Sequence, residues 1–322
     1  MTKKMMQSLV LSKGRLQFKE IEVPTLSVGE VLLKVIKAGI CQTDIELTKG
    51  YMDFNGVIGH EFVGRVVESG RKDLLGKRVV AEINCACGEC ASCIRGNKNH
   101  CLHRTVLGIL NKPGIFSEYA ALPMENLHIV PESISDTAAV FIEPLAAALR
   151  IPQQIRVEDK ERVLVMGDGK LGLLVAQVMK LHSKFVWCSG RHKRNLSLLK
   201  GKGIQIWDEK DEGGSQNFNL IVDATGNPES LAQALQRLSP QGRLVLKSTY
   251  HGDHGLDISK IVVDEFHIIG SRCGPFSDAI EILKHKTIDV EELVDGDYPL
   301  SCGIEAFSFA KKPGVIKVLI TP

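Results

Sequence analysis

The chain has 322 residues, 44% apolar and 24% charged, which is enough apolar material for a sizeable core and an ordinary composition for a globular protein. Forty Lys and Arg against 38 Asp and Glu give a formal net charge of +2, so charge makes no case for nucleic acid or an anionic membrane as partner. The opening "MTKKMMQSLV" leads into no apolar run of secretory length, and no window approaches the roughly eighteen apolar residues of a membrane span. A cytoplasmic protein with reduced thiols is therefore expected, and nine cysteines then point to metal or catalysis before disulfides.

Two strand-like runs, "EVLLKVIKAGI" and "FVGRVVESG", flank the first chemistry-bearing residues. "AGICQTDIE" supplies Cys41, and "GVIGHEFVG" supplies His60 and Glu61, all beside glycines and expected in loops. Cys, His and a carboxylate form a three-ligand set that leaves a metal position open for water or substrate. Glu143, in the apolar helix start "FIEPLAAALR", is a further candidate ligand, because an acid in an apolar run needs a cation or hydrogen bonds. A first-turn acid that complements the helix dipole is the alternative for Glu143.

Between these stretches lies "CGECASCIRGNKNHC", in which Cys87, Cys90, Cys93 and Cys101 follow a CxxCxxCx7C pattern. Two-residue gaps let a tight loop wrap a tetrahedral Zn²⁺. Four thiolates leave no open position, so a zinc held here is structural. A redox dithiol does not need four cysteines, and a nucleic-acid ribbon would want aromatic platforms that Arg95, Lys98 and Arg104 lack beside them. Cys85 has no place in the tetrad and reads as packing.

The second half alternates strands and helices. "RVLVMGDGKLGLLVAQVMK" is a Val-rich strand, a Gly167-x-Gly169-x-x-Gly172 turn and a helix with helical apolar spacing. Gly167 is expected to make the turn, Gly169 to let backbone approach a pyrophosphate, and Gly172 to allow close helix–strand packing. Lys170 and Leu171 complete the phosphate turn at the helix N-terminus. Strand "KFVWCSG", helix "RNLSLLKGKG", strands "IQIW" and "LIVDATG", helix "PESLAQALQRLS" and strands "RLVLKST" and "FHIIGS" follow. They predict a doubly wound parallel sheet, with Thr225 at the end of "LIVDATG" a further cofactor-binding candidate.

The end of the second strand bears on cofactor choice. NAD-binding folds place an acid there, bonded to the ribose 2′-hydroxyl. This chain has Gly190 at that point, followed by Arg191, His192, Lys193 and Arg194, and no acid between Phe185 and Gly201. Ser189, Gly190, Arg191 and Arg194 are thus expected to admit a 2′-phosphate, which favours NADP(H) over NAD(H).

"GICQTD", "GHEFVG", the cysteine cluster, "EPLAAAL" and "GDGKLG", in this order, resemble the zinc-dependent medium-chain dehydrogenase/reductase family, which includes alcohol, sorbitol, threonine and glucose dehydrogenases. The resemblance implies an α/β protein, with a GroES-like β-rich catalytic domain over 1–145, a Rossmann domain over 146–272 and a return to the catalytic domain over 273–322. It implies one catalytic and one structural zinc, with Cys41 and His60 as catalytic ligands, Glu61 a direct or exchanging ligand and Glu143 at the third-ligand position. Thr43 matches the relay Ser or Thr. Glu46 stands where some alcohol dehydrogenases place a relay His, so proton exit through Glu46, ribose hydroxyls or water stays open. The implied activity is hydride transfer between a secondary alcohol or polyol, or the matching carbonyl, and a nicotinamide cofactor, in a homodimer or homotetramer. A reductase with idle zinc and a non-catalytic cofactor-binding protein are the alternatives.

Overall fold

The computed structural model describes residues 4–208, 217–249 and 256–322. The chain divides into two compact units, Met1–Glu143 with Phe276–Pro322, and Pro144–Pro275. No helix among the described residues is long and apolar enough to cross a membrane.

The first unit is built on a seven-stranded sheet. Its order is Leu127–Ile129, Arg78–Ala81, Glu61–Glu68, Glu30–Gly39, Lys317–Thr321 and Val294–Pro299, and Tyr119–Pro123 also pairs with Glu30–Gly39. The strand Glu30–Gly39 is central, and Val31, Leu32, Leu33 and Val35 in its "VLLKVI" run are buried while Lys34 is exposed. Val31, Leu33, Val35, Phe62, Val63, Val318 and Leu319 are all buried along these neighbouring strands. Glu30–Gly39 and Glu61–Glu68 run antiparallel, with Gly39 opposite Glu61 and Ala38 opposite Phe62. The C-terminal strand closes the other side, Leu319 opposite Gly39, and Ile40 donates its N–H to Val318 O at 2.9 Å. A hairpin of Met5–Ser12 and Arg15–Glu22 turns at Lys13 and Gly14, both at positive φ, as a two-residue hairpin turn requires.

Of the three residues expected in loops, Cys41, His60 and Glu61, Glu61 instead opens the strand Glu61–Glu68. Cys41 is the N-cap of a short helix, Gln42–Leu47, and the Asp44 carboxylate accepts the Cys41 backbone N–H at 2.9 Å. The pattern is a capping box with Cys in the Ser or Thr position, its signature being an acid three residues after the cap. His60 does lie in a loop. Gly59 before it has φ +99°, and added Cβ atoms at Gly108 and Gly114 would lie 2.3 and 2.5 Å from Gly59 O, so backbone-to-backbone packing holds that loop.

The second unit carries a six-stranded, wholly parallel sheet. Its order is Gln205–Ile206, Phe185–Ser189, Arg162–Met166, Phe218–Asp223, Leu238–Leu246 and His267–Gly270. In this unit's own count the order is 3-2-1-4-5-6, that of a Rossmann dinucleotide-binding sheet. The expected strand "IQIW" shrinks to two exposed edge residues, Gln205–Ile206. The expected helix "RNLSLLKGKG" narrows to Lys193–Ser197, capped at Leu198, and the residues after it turn, with Gly201 and Gly203 at positive φ. A helix at Ile258–Val263 was not expected, since its "ISKIVV" reads by propensity as a strand.

Candidate functional site

Two groups of three or more metal-capable side chains occur among the described residues. The first is Cys87, Cys90, Cys93 and Cys101, whose four sulfurs lie within 4.8 Å of one another. The Sγ–Sγ separations are 3.5 Å for Cys90–Cys93 and Cys87–Cys101, 3.8 Å for Cys90–Cys101 and 3.9 Å for Cys87–Cys93. A regular tetrahedron of sulfurs ~2.3 Å from a central zinc has edges of about 3.8 Å. The four thiols therefore fit zinc, and they are far outside disulfide bonding distance. Backbone N–H groups of Cys93 and Leu102 aim at Cys90 and draw its thiol down to about 6. The Cys87 N–H does the same for Cys101, at 3.3 Å, and lowers that thiol too. Burial, with neighbouring thiols that favour its protonated form, pushes Cys93 up to about 12. Cys85 stays outside the tetrad, is half-buried and has its thiol raised by burial, as packing would have it.

The second group is Cys41, His60 and Glu61, with ligand atoms within 4.8 Å of one another. Strand register creates it. With Gly39 paired to Glu61, the chain leaving one strand at Ile40 and Cys41 runs beside the chain entering the next at His60. Glu143, in the first turn of the helix Ile142–Gln154, is not a member of this set. Asp44, fully buried, lies 3.2 Å from His60 Nδ1 through its Oδ1. Burial disfavours the charged imidazole, but the Asp44 carboxylate and Cys41 outweigh it and hold His60 well above its ordinary value. His60 Nδ1 and Asp44 Oδ1 lie at ion-pair distance without hydrogen-bond geometry, with the carboxylate on the side of one ring nitrogen where metal-binding histidines usually have their support. A thiolate, an imidazole and a carboxylate fit an open zinc site. Thr43 Oγ1 is 3.8 Å from Cys41 Sγ. Glu46 accepts hydrogen bonds from Gln42 at 2.7 Å and Lys49 at 2.9 Å, towards the outer side of the same helix.

Sequence reasoning missed two residues here. Asp44 could have been found from the capping pattern. Lys317 could not, because it lies 256 residues from its partner. Lys317 and Glu61 form an ion pair with both side chains fully buried. The Lys317 ammonium also reaches Ile40 O at 3.3 Å and lies 5.7 Å from the centre of the Phe141 ring. A Cβ at Gly39 would fall 2.1 Å from Lys317 Nζ, so the glycine opens the passage that the lysine fills.

In the second unit, the glycine-rich turn opens the helix Lys170–Lys180, which contains Lys170, Leu171 and Gly172, with Gly169 as its N-cap. Gly167 has φ +116°, and its backbone N–H reaches Ser189 O at 2.9 Å. A Cβ at Gly172 would lie 2.0 Å from Gly167 O, whereas one at Gly169 would meet nothing within 4 Å. Tight turn, open face and close packing thus fall to Gly167, Gly169 and Gly172 in that order. Thr225 gives its N–H and hydroxyl to Asp223 Oδ1, at 2.9 and 2.8 Å, and also contacts Ser230 Oγ at 2.7 Å. Its hydroxyl is committed to a turn network within the fold.

Gly190 was expected to leave space for a phosphate. The side-chain position at 190 itself is taken by Asp168: a Cβ at Gly190 would lie 2.3 Å from both Cβ and Cγ of Asp168, and 2.6 Å from its Oδ2. A Gly190→Asp exchange would therefore collide with a carboxylate already present. Arg191, Lys193 and Arg194 are exposed.

The alcohol dehydrogenase GroES-like domain family matches residues 27–132. Over 98% of its length the chain is 32% identical to the starvation-sensing protein RspB of Escherichia coli K12, covering 99% of that protein. It is also 32% identical to a D-arabitol-phosphate dehydrogenase of Enterococcus avium, covering 95% of this chain and 94% of the relative. The chain belongs to the zinc-type medium-chain dehydrogenase family. Solved structures of similar proteins include the E. coli CFT073 alcohol dehydrogenase rspB in complex with NADH, with a TM-score of 0.90, 30% identity and 99% of both chains covered. Another is a zinc-binding dehydrogenase from Sinorhizobium meliloti 1021 bound to NADP, with a TM-score of 0.91, 25% identity, and 99% of this chain and all 100% of that one covered. The protein is accordingly a dehydrogenase with a GroES-like unit and a Rossmann unit.

The buried pair gives this dehydrogenase a testable weak point. Lys317→Met strips Glu61 of its buried countercharge and is expected to cost about 3–5 kcal/mol. Adding Glu61→Gln should recover part of that loss. Denaturant unfolding of the single and double variants measures both. A Lys317→Met cost inside the roughly 0–1 kcal/mol range of exposed pairs would show that the ion pair does not hold this region.

Proposed function

We propose that this dehydrogenase is a two-zinc enzyme that oxidises a secondary alcohol or polyol, or reduces the matching carbonyl, with a nicotinamide dinucleotide. The grouping of Cys41, His60 and Glu61 next to Thr43 carries this reading. Cys41 and His60 are the two fixed ligands. The third is a carboxylate, Glu61 by proximity and Glu143 by its place in the family motif; metal content of Glu61→Gln and Glu143→Gln separates them. When bound, zinc supplies polarisation of the substrate oxygen, and the dinucleotide supplies the hydride acceptor. The chain's own part is to hold and move the proton. The Thr43 hydroxyl accepts the substrate's hydroxyl proton and releases one of its own towards water or Glu46 at the helix surface. Asp44 keeps His60 oriented, and Lys317 holds Glu61 so that it does not swing freely. The name of the arabitol-phosphate relative favours a polyol-type substrate. Gly167, Gly169, Lys170, Leu171 and Gly172 seat the pyrophosphate, with Ser189 and Gly190 beside the adenosine ribose.

The Rossmann unit also offers a surface for a second copy. The strand His267–Gly270 is an edge strand among the described residues. The helix Ile258–Val263 before it exposes Ile258 at 63%, Val262 at 70% and Val263 at 79%, too much adjacent apolar side chain to leave in water. An edge strand is self-complementary under a two-fold axis, so an identical chain satisfies both its backbone and its apolar neighbours. The expected particle is a homodimer, or a tetramer built from it. Light scattering should show it fall to a monomer in Val263→Asp with Ile268→Lys; a monomeric wild type would sink this part of the reading.

Metal analysis should find two zinc ions per chain. Cys93→Ala should lose one and melt earlier, because a structural zinc contributes binding free energy to folding. Cys41→Ser should lose the other and abolish turnover, yet still bind dinucleotide. One zinc or none in carefully prepared wild type would remove the two-metal reading.

Thr43→Val should keep both metals and slow turnover about 10²–10⁴-fold, the usual worth of a positioned acid–base group. Normal turnover by that variant at neutral pH would show that the proton leaves by another route.

A further inference from the structure

The geometry points to Asp168 as the residue that selects the cofactor, in favour of NAD(H), which reverses the preference expected from Gly190 and the cations after it. This inference rests on the reading above that the glycine-rich turn binds a nicotinamide dinucleotide.

Asp168 is the residue between Gly167 and Gly169 in the turn. Its side chain does not point into solvent. It crosses to the end of the neighbouring strand Phe185–Ser189, where the His192 backbone N–H donates to Oδ2 and His192 Nδ1 lies 3.1 Å from the same oxygen. The Asn195 amide donates to Asp168 O at 3.0 Å and ties down the backbone beneath. Asp168 is only 7% exposed, so it is a placed group and not a solvated one. The decisive contact is with Gly190. A Cβ at 190 would clash with Asp168, 2.3 Å from its Cβ and Cγ and 2.6 Å from its Oδ2. In most NAD-binding Rossmann folds an acid at the end of that second strand accepts a hydrogen bond from the ribose diol. Here that strand end is a glycine, and a carboxylate from the preceding turn occupies the volume its side chain would fill. The charge is present; only its point of attachment has moved.

Two opposed electrostatic effects meet at this point. Arg191, Lys193 and Arg194 would attract a 2′-phosphate, but all three are exposed, where salt and water weaken such contacts. Asp168 is nearly buried and held by His192, so its repulsion of a second anion is screened far less. The buried like charge outweighs the exposed opposite ones. The same carboxylate has acceptor capacity left for a neutral hydroxyl, because an ionised carboxylate offers about four lone-pair sites. The absence of a side chain at Gly190 then has its own explanation: it is the space that lets Asp168 cross.

Calorimetric titration of the purified full chain with NADH and NADPH, at one pH and salt, tests the inference. NADH is expected to bind at least about tenfold more tightly. Asp168→Asn, neutral and nearly the same shape, should raise NADPH affinity by about tenfold or more while changing NADH less. A measurement on the wild type alone covers the case in which that variant does not fold. A dinucleotide lacking the adenosine 2′-hydroxyl should bind about tenfold to a hundredfold more weakly than NADH, the worth of a hydrogen bond to a charged acceptor. NADPH binding as tightly as NADH or more so in the wild type, an unchanged ratio in Asp168→Asn, or full affinity for the 2′-deoxy analogue each overturns the role of Asp168. Any of these leaves the dehydrogenase reading standing. Binding of neither dinucleotide defeats both.

Discussion

The catalytic half of this protein depends on one strand register. Glu30–Gly39 lies antiparallel to Glu61–Glu68 with Gly39 opposite Glu61, and everything chemical at that end of the sheet follows from it. A slip of one residue would turn each side chain on the slipped strand to the opposite face. It would also part Cys41 from His60. The register is held by burial on both faces and by the C-terminal strand Lys317–Thr321 on the far side. That last strand brings Lys317 to Glu61, so the end of the chain takes part in positioning a residue near its start.

The two metal-capable groups show two ways of building a site. The four cysteines fall within fifteen residues, and a small lobe with the short helix Ala91–Ile94 is enough to gather them. The other group needs a sheet, a capped helix and a glycine-hinged loop. The first can shape its lobe with little help from the rest of the fold. The second is only as accurate as the packing behind it: Asp44 behind His60, Lys317 behind Glu61, and Gly59 locked between Gly108 and Gly114.

The Rossmann unit shows how close backbone packing can relocate a charge. Parallel strands bring the turn after one strand beside the end of the next, with Met166 paired to Ser189. A side chain at 168 and a side chain at 190 then compete for one volume, and the chain fills it from the turn. Read along the chain, the two positions lie twenty-two residues apart and show no sign of exclusion.

The amino-acid sequence by itself determined the parts whose signals are local. The cysteine spacing, the strand–glycine turn–helix unit and the alternating second half were all legible, because each is set by neighbours within a few residues. Cys41, His60 and Glu61 could be singled out by residue type and glycine neighbours, and the roles proposed for them come from the family resemblance. The tertiary structure alone decided what depends on contacts between distant segments. It put Cys41 on a helix cap and paired Glu61 with Lys317. It left Glu143 outside the close ligand set and committed the Thr225 hydroxyl to Asp223 and Ser230. It also filled the space at Gly190 with Asp168. The physical reason is that packing and the pairing of buried polar groups depend on what the fold brings into contact, and distance along the chain does not enter that energy.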